Sequence, residues 1–394
     1  MRIDTNLLGA VAMPDAGLDG PPATERRYGR ADFAAAYEDF VALAEAGDRL
    51  GYDTMWWTEH HFQHEGYEVV GNQILLGLWC AARTPRMRYG QMFNIVPQWN
   101  PLRLAEDFAT ADLLTGGRMR FGVGRGTVPR EMETLGASIE SNDNDMDTGA
   151  EQRNREVFAE AMEVIRTAWA NDRFAYSGKH FTLPPPGIPD RGGVVTDLTL
   201  VPNVTRPVEI HQACTSPATV KYVAEHGHTG VYAWQSPDTM ARRWAEHAAH
   251  AEAAGRTLAP GEERMLVLHV CVGRTREEAM AAARPNHEEV VKLLAPYGRY
   301  NSYDLPEGWT SKPHDFAPTL EESVRQRIWA VGTADDVAEV IDEYRTKLGM
   351  TTISVAVDGP GTTRDSVEEQ LTLVAEEVAP RLGVAMTGPR AAAA

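Results

Sequence analysis

Eight short apolar runs, separated by stretches with helical patterning, constrain this chain more than any other feature. They are Ile3 to Val11, Thr54 to Thr58, Met87 to Val96, Met119 to Val123, Val208 to Ala213, Gly230 to Trp234, Met265 to Val272 and Thr351 to Val357. Strands that alternate with helices form a parallel sheet wrapped by helices, because each crossover needs a long connection and both sheet faces must be covered. Eight such strands suffice to close on themselves. The predicted fold class is therefore α/β, a (β/α)8 TIM barrel with insertions. The connecting helices carry boundary signals of their own. Asn100-Pro101 caps and opens a helix over Leu102 to Leu114, which Gly116-Gly117 ends. Asp335-Asp336 places acid at the positive end of a helix over Val337 to Leu348, and Gly349 stops it.

No Pro, Gly or Ser linker divides the chain and no segment repeats, so residues 1–385 are expected to form one domain. Insertions are expected near 127–150, 174–206 and 283–329, the last a long loop before the final strand. Tyr176 to Val204 contains Pro184-Pro185-Pro186 and Gly192-Gly193, which leaves room only for a short hairpin. Ala283 to Trp329 mixes a short helical piece with Tyr297, Tyr300, Tyr303 and Trp309, an aromatic content that argues against disorder. Residues 386–394 are expected to be a disordered tail.

Composition excludes several classes of partner. A formal net charge of -18, with no cluster of lysine and arginine, disfavours nucleic acid. Cys80, Cys214 and Cys271 are odd in number and far apart, so neither a disulfide framework nor a zinc knuckle is indicated and a cytoplasmic setting is expected. The N-terminus has an early acid and no apolar core, and no stretch approaches the roughly 18 apolar residues that span a bilayer, so neither secretion nor membrane insertion is expected.

The second apolar run ends in Glu59-His60-His61-Phe62. Successive strand residues face opposite sides, so His60 and His61 share a pocket only if the chain has already turned into its loop, and one of them is expected to be structural. A neutral imidazole can exchange a proton near neutral pH, whereas one packed on carbonyls does no chemistry. A zinc set of Glu59, His60, His61 and His64 fits neither a helical His-x-x-x-His face nor a Cys/His knuckle, and no metal is expected. Phe121-Gly122-Val123-Gly124-Arg125-Gly126-Thr127 lacks the third glycine of a dinucleotide fingerprint, and Pro129 interrupts any helix opening directly after it. The glycines could bring Arg125 to an anion or could merely turn the chain beside a surface ion pair. Thr215-Ser216-Pro217-Ala218-Thr219 opens a helix, where Ser216 is an anion ligand or only an N-cap.

Taken in order, these pieces resemble the bacterial luciferase-like flavin-dependent monooxygenases. Gly51-Tyr52-Asp53-Thr54 runs into Glu59-His60-His61-Phe62, followed by Pro97 with Asn100-Pro101, Ala105-Glu106-Asp107 and Leu113-Leu114. Then come Gly117 to Gly126, Ser216-Pro217-Ala218-Thr219 and Val331-Gly332-Thr333. Each piece is common, and it is their order and spacing over most of the chain that carries the resemblance. It is nearest to the luciferase alpha-type subunit, which shares the Glu-His-His-Phe block and has a long loop where Ala283 to Trp329 lies. The resemblance implies a site at the C-terminal ends of the strands, with His60 as the catalytic histidine. It also implies reduced FMN with its phosphate near Arg125, Ser216 and Thr219 and its ring near Met92, Phe93 and Trp234. In the family the pair matching Met92-Phe93 can form a cis peptide under the ring; here that pair is bulkier than the small residues often found there. Thr215 stands where the luciferase subunit has an acid, which implies a different polar contact.

The chemistry so implied is the flavin's, with the protein supplying orientation and electrostatics. O2 adds at C4a of reduced FMN, a dry cavity protects the resulting (hydro)peroxide, and His60 manages its proton. The substrate is a small organic molecule, either an aldehyde or ketone or a centre to be hydroxylated. With no second flavin or nicotinamide fingerprint, electrons are expected from a separate flavin reductase, in a two-component system. A homodimer or heterodimer is expected by likeness. Two other readings stay open: an F420-dependent oxidoreductase moving hydride on the same barrel, and a non-catalytic flavin-binding relative. Trp99, Tyr303 and Trp309 line an apolar cavity or simply pack.

Overall fold

The computed structural model describes residues 1–137, 149–306 and 308–389. Its barrel strands are β1 (Arg2–Leu7), β2 (Thr54–Trp57), β3 (Arg88–Gln91), β4 (Met119–Gly124), β5 (Ile210–Ala213), β6 (Thr229–Tyr232), β7 (Arg264–Val272) and β8 (Thr352–Ala356). Each pairs in parallel with the next, and β8 returns to β1 in the register Arg2 with Thr352 through Asn6 with Ala356, closing the barrel. These are the eight apolar runs of the sequence. Their crossovers are helical as expected: Asn100 Oδ1 accepts from the N–H groups of Leu102 (3.0 Å) and Arg103 (3.3 Å), and the helix Pro101–Leu114 starts there. Among the described residues no helix is long and apolar enough to cross a membrane.

The structure departs from the sequence reading where long-range pairing overrides local pattern. Met87 to Val96 is not one strand. Pairing with β2 ends at Gln91, the Met92–Phe93 peptide is cis, and Asn94–Ile95 then pairs with β4. The 283–329 stretch is more regular than expected. Helix Arg276–Leu294 continues through Pro285, and a further parallel strand, Trp329–Gly332, pairs with His269 to Val272 at the end of β7, overlapping the β8-paired part only at His269. Pro129, expected to interrupt a helix, occupies the first turn of the short helix Pro129–Thr134, where its missing N–H costs nothing. The 174–206 stretch holds two small hairpins, Tyr176–Ser177 with Thr182–Leu183 and Pro189–Asp190 with Gly193–Val194. Part of the first insertion, 138–148, lies outside the described residues. So do residues 390–394 of the expected tail, whereas Met386 packs on the core and the Gly388 N–H donates to the Gly51 carbonyl at 2.9 Å.

The main core lies between the barrel's outer face and its helices, and a smaller one fills the barrel. Trp56, Met92, Val231, Met265, Val267 and Ala356 form this inner cluster, with Phe93 and Ala233 packed against it. Gly90 makes room for the indole: it lies opposite Trp56 in the β2–β3 register, and a Cβ there would come within 2.1 Å of the ring. Gly90→Ala is accordingly expected to cost about 3 kcal/mol of overpacking. The Trp56 Nε1–H donates to Asp4 Oδ2 at 3.0 Å on the barrel floor. Burial pushes the Asp4 carboxyl up to about 6, against the pull of Arg2.

Candidate active site

The seven residues picked out from the sequence all lie just beyond the C-terminal ends of barrel strands. His60 follows β2, Met92 and Phe93 follow β3, Arg125 follows β4, Ser216 and Thr219 follow β5, and Trp234 follows β6. Met92 and Phe93 reach the inner apolar cluster, and a Cβ on Gly124 would lie 3.2 Å from that of Phe93. Phe62 and Trp234 at this mouth hold φ of 60°, in the left-handed region that costs a residue with a Cβ about 1 kcal/mol or more.

His60 sits between two acids. Its Nδ1 is 3.1 Å from Glu131 Oε1 and its Nε2 is 3.1 Å from Glu68 Oε2, and these carboxylate side chains are only 4% and 12% exposed. A carboxylate accepts, so both ring nitrogens donate, and only the imidazolium has two N–H groups. Burial opposes that charge, but the two carboxylates outweigh it and hold the His60 pKa well above its ordinary value. Burial likewise raises the Glu131 carboxyl, and His60 together with the Gln63 amide brings it below its usual range. His60 is thus a held cation at neutral pH rather than a neutral imidazole.

His61 is wired differently. Its Nε2 lies 3.1 Å from Glu59 Oε1, and this buried carboxylate also accepts from Trp99 Nε1 (3.1 Å) and Gln73 Nε2 (3.2 Å). Gln73 Oε1 accepts from the Met92 N–H at 3.0 Å, and Asn94 Nδ2 donates to the Gly122 carbonyl at 2.9 Å. His61 therefore belongs to a scaffold that fixes the chain on either side of the Met92–Phe93 peptide. His64 pairs with Glu65 at 3.3 Å, and among the described residues no group of three or more His, Cys, Asp or Glu could hold a metal.

Beyond β4, Arg125 Nη1 bonds to Glu151 Oε1 at 2.6 Å and to Asn154 Oδ1 at 3.4 Å. The pairing of Gln212 with Val123 places Arg125 beside the segment that leads to Ser216. Ser216 caps the helix Pro217–His226, accepting from the Thr219 N–H at 3.3 Å and meeting Thr219 Oγ1 at 3.0 Å. An anion reaching this guanidinium would compete with Glu151.

Residues 14–352 match the family model for luciferase-like monooxygenases. The chain belongs to the luciferase-like monooxygenase family. Its relatives include 4-hydroxyprotoasukamycin monooxygenase of Streptomyces nodosus subsp. asukaensis, 25% identical over 359 residues that cover 88% of this chain and 87% of that one. They also include the oxygenase component of flavin-dependent trigonelline monooxygenase of Acinetobacter baylyi, 26% identical over 148 residues, 38% of each chain. Solved structures share the fold. The oxygenating constituent of 3,6-diketocamphane monooxygenase from Pseudomonas putida, in complex with FMN, superposes with a TM-score of 0.72 at 18% identity, covering 97% of this chain and 98% of that one. An F420-dependent secondary alcohol dehydrogenase superposes with a TM-score of 0.63 at 14% identity, covering 97% and 98%.

Within this luciferase-like barrel, the sequence reading passed over Glu68, Glu131, His269 and Asp358. His269 accepts from Trp234 Nε1–H at 3.2 Å and stacks on Trp329 with centroids 4.4 Å apart. Burial lowers its pKa to about 4, so it is neutral, and because Nε2 accepts, the proton sits on Nδ1, a buried donor with no acceptor among the described residues. Asp358, just past β8, accepts from the N–H groups of Leu8 (2.8 Å) and Gly9 (3.2 Å). Burial pushes its carboxyl up to about 7 despite those bonds. The one usable signal was His269 itself, the sole ring-bearing polar residue inside the apolar run Met265 to Val272.

Proposed function

We propose that this chain is the oxygenase component of a two-component monooxygenase, using O2 and reduced FMN delivered by a separate flavin reductase to oxygenate a small organic molecule. The observation that carries the reading is the His60 imidazolium, clamped by Glu68 and Glu131 at the rim of a mouth with an apolar floor. The flavin dependence named for the trigonelline relative supports it. Reduced FMN, when bound, supplies the electrons for oxygen activation.

The chain's own residues then have distinct tasks. Met92, Phe93, Val267 and Ala356 offer an apolar surface to a planar ring and keep water from it. Arg125, Ser216 and Thr219 form the phosphate end, where Arg125 exchanges Glu151 for the phosphate. Trp234 borders the ring, held by its bond to His269. The Nδ1 proton of His60 is pinned by the more deeply buried Glu131, so the Nε2 proton, beside Glu68, is the one that moves onto or off the oxygenated centre. Carbonyl oxygenation and hydroxylation both fit this arrangement.

We further read the chain as a dimer, with itself or a related subunit. Leu75 and Trp79 on helix Gln73–Ala81, and Leu113 and Leu114 on the adjoining helix Pro101–Leu114, are each more than half exposed and make an apolar face of the kind that marks an interface. The three cysteines are free and buried, which fits a reducing cytoplasm. The test is oxygen uptake with reduced FMN regenerated by a flavin reductase, in isotopically labelled O2, with a panel of aldehydes, ketones and aromatic compounds. Incorporation of one labelled atom into a product is expected. Substrate oxidation without oxygen uptake, supported by F420 in place of FMN, would establish the hydride-transfer alternative.

A further inference from the structure

The 283–329 insertion carries a guanidinium, that of Arg299, with no hydrogen bond or ion pair to any described residue. Arg299 opens the short turn Arg299–Ser302, directly after Gly298 at φ 67°. The turn is held on both sides. Ser302 Oγ donates to the Trp234 carbonyl at 3.1 Å, and the Lys312 ammonium donates to the carbonyls of Tyr300 (3.3 Å), Asn301 (2.7 Å) and Tyr303. Asp304, just beyond, accepts from Ser236 Oγ (2.6 Å) and Thr239 Oγ1 (3.0 Å), which ties the insertion to the segment after β6. Arg299 is therefore presented by an anchored piece of backbone and not by a free loop.

The side chain is partly buried, and no described residue makes a hydrogen bond or an ion pair with it. Burial disfavours its charge and Glu68 is the acid that favours it, yet the Glu68 carboxylate is already bonded to His60 Nε2 at 3.1 Å. The charge of the acid that holds the movable proton thus reaches this guanidinium, and the Ser302–Trp234 bond sets its turn at the mouth. Arg299 belongs to the insertion between β7 and β8, whereas Arg125 follows β4. A half-buried, pre-positioned guanidinium without a partner among the described residues matches a planar anion that accepts two N–H bonds.

We propose that Arg299 is a specificity-determining residue that binds the carboxylate of an acidic organic substrate and holds it beside His60. This rests on the flavin reading above and narrows its substrate class to small organic acids. The test is calorimetric titration of the protein, with and without oxidised FMN, against two isosteric pairs, benzoate with benzamide and octanoate with octanamide. Wild type is expected to prefer at least one carboxylate over its amide by about tenfold or more, the scale of a charge-assisted hydrogen bond. Arg299→Gln should abolish that preference while leaving amide and FMN affinities within about twofold, and Arg299→Lys should keep part of it. A carboxylate preference that survives Arg299→Gln, no preference in wild type, or no binding of any of the four probes overturns the proposal. So does a loss of FMN affinity in Arg299→Gln equal to the loss for carboxylate, which would put this residue on the flavin phosphate. Failure of wild type to bind FMN would sink the flavin reading alone, since the carboxylate titration also runs without it.

Discussion

Around His60 and His61 the polar groups come from segments far apart in the chain, whereas around Arg125 they come from one neighbouring helix, although His60 and Arg125 are equally accessible, at 21% and 22%. Glu59, Gln73, Trp99 and Glu131 converge on the paired histidines, and most of these side chains are buried. Among the described residues Arg125 bonds to Glu151 and Asn154, both on helix Gly149–Ala170. The first arrangement fixes charge in a low dielectric, where a misplaced partner is expensive. The second holds a cation with a replaceable partner, which suits a group that must come and go. On the proposed reading, the His60 cluster acts on a proton and the Arg125 cluster binds and releases the phosphate.

Four substitutions probe that contrast. His60→Gln should have the largest effect, lowering product formed per O2 consumed by about a hundredfold, the scale of a lost acid or base, with FMN affinity changed less than about twofold. Coupling that survives the change would break the comparison. Glu59→Ala strands the donors of Trp99 and Gln73 and should cost about 3 kcal/mol of stability, seen as a Tm lowered by several degrees, while Arg125→Ala costs less than about 0.5 kcal/mol. Similar losses in calorimetry would mean the two sides are equally rigid. Arg125→Ala should weaken FMN about tenfold and riboflavin hardly at all, and Glu151→Gln should tighten FMN by releasing the guanidinium. Equal losses for FMN and riboflavin would move the phosphate elsewhere.

The smallest effect is one of pH. The His60 pKa is raised in the folded protein, so its contribution to stability is complete below the unfolded value of about 6.5 and is lost as pH rises through the folded value. Asp358, raised to about 7, acts in the same sense at lower pH, its contribution fading as pH rises toward 7. In urea titrations across pH, His60→Gln should flatten the alkaline loss and leave the acidic portion intact. A profile parallel to wild type would contradict the clamped imidazolium.

The barrel was legible because eight runs of the right length alternate with capped helices, a pattern that few other folds satisfy. The strand Trp329–Gly332 was not, because four apolar residues after a charged helix look like loop, and what makes them a strand is the far end of β7. Helix Arg276–Leu294 runs on past Ala283, where the irregular insertion was expected to begin, and accommodates Pro285. In the site, His60 announced itself through its neighbours, but the acids that set its charge did not. Glu131 stands 71 residues away, on a helix whose proline looked like a breaker. Long-range partners leave no local signature, so the sequence picked out residues that gather at the barrel mouth and not the acids that set the charge of His60.

The most direct test of the account is stopped-flow absorbance of the protein carrying anaerobically reduced FMN, mixed with oxygenated buffer. The account predicts a flavin spectrum distinct from the reduced and oxidised forms, persisting well beyond the reoxidation of free flavin in wild type and shortened in His60→Gln. Reoxidation of the wild-type complex in a single step at the free-flavin rate would contradict it.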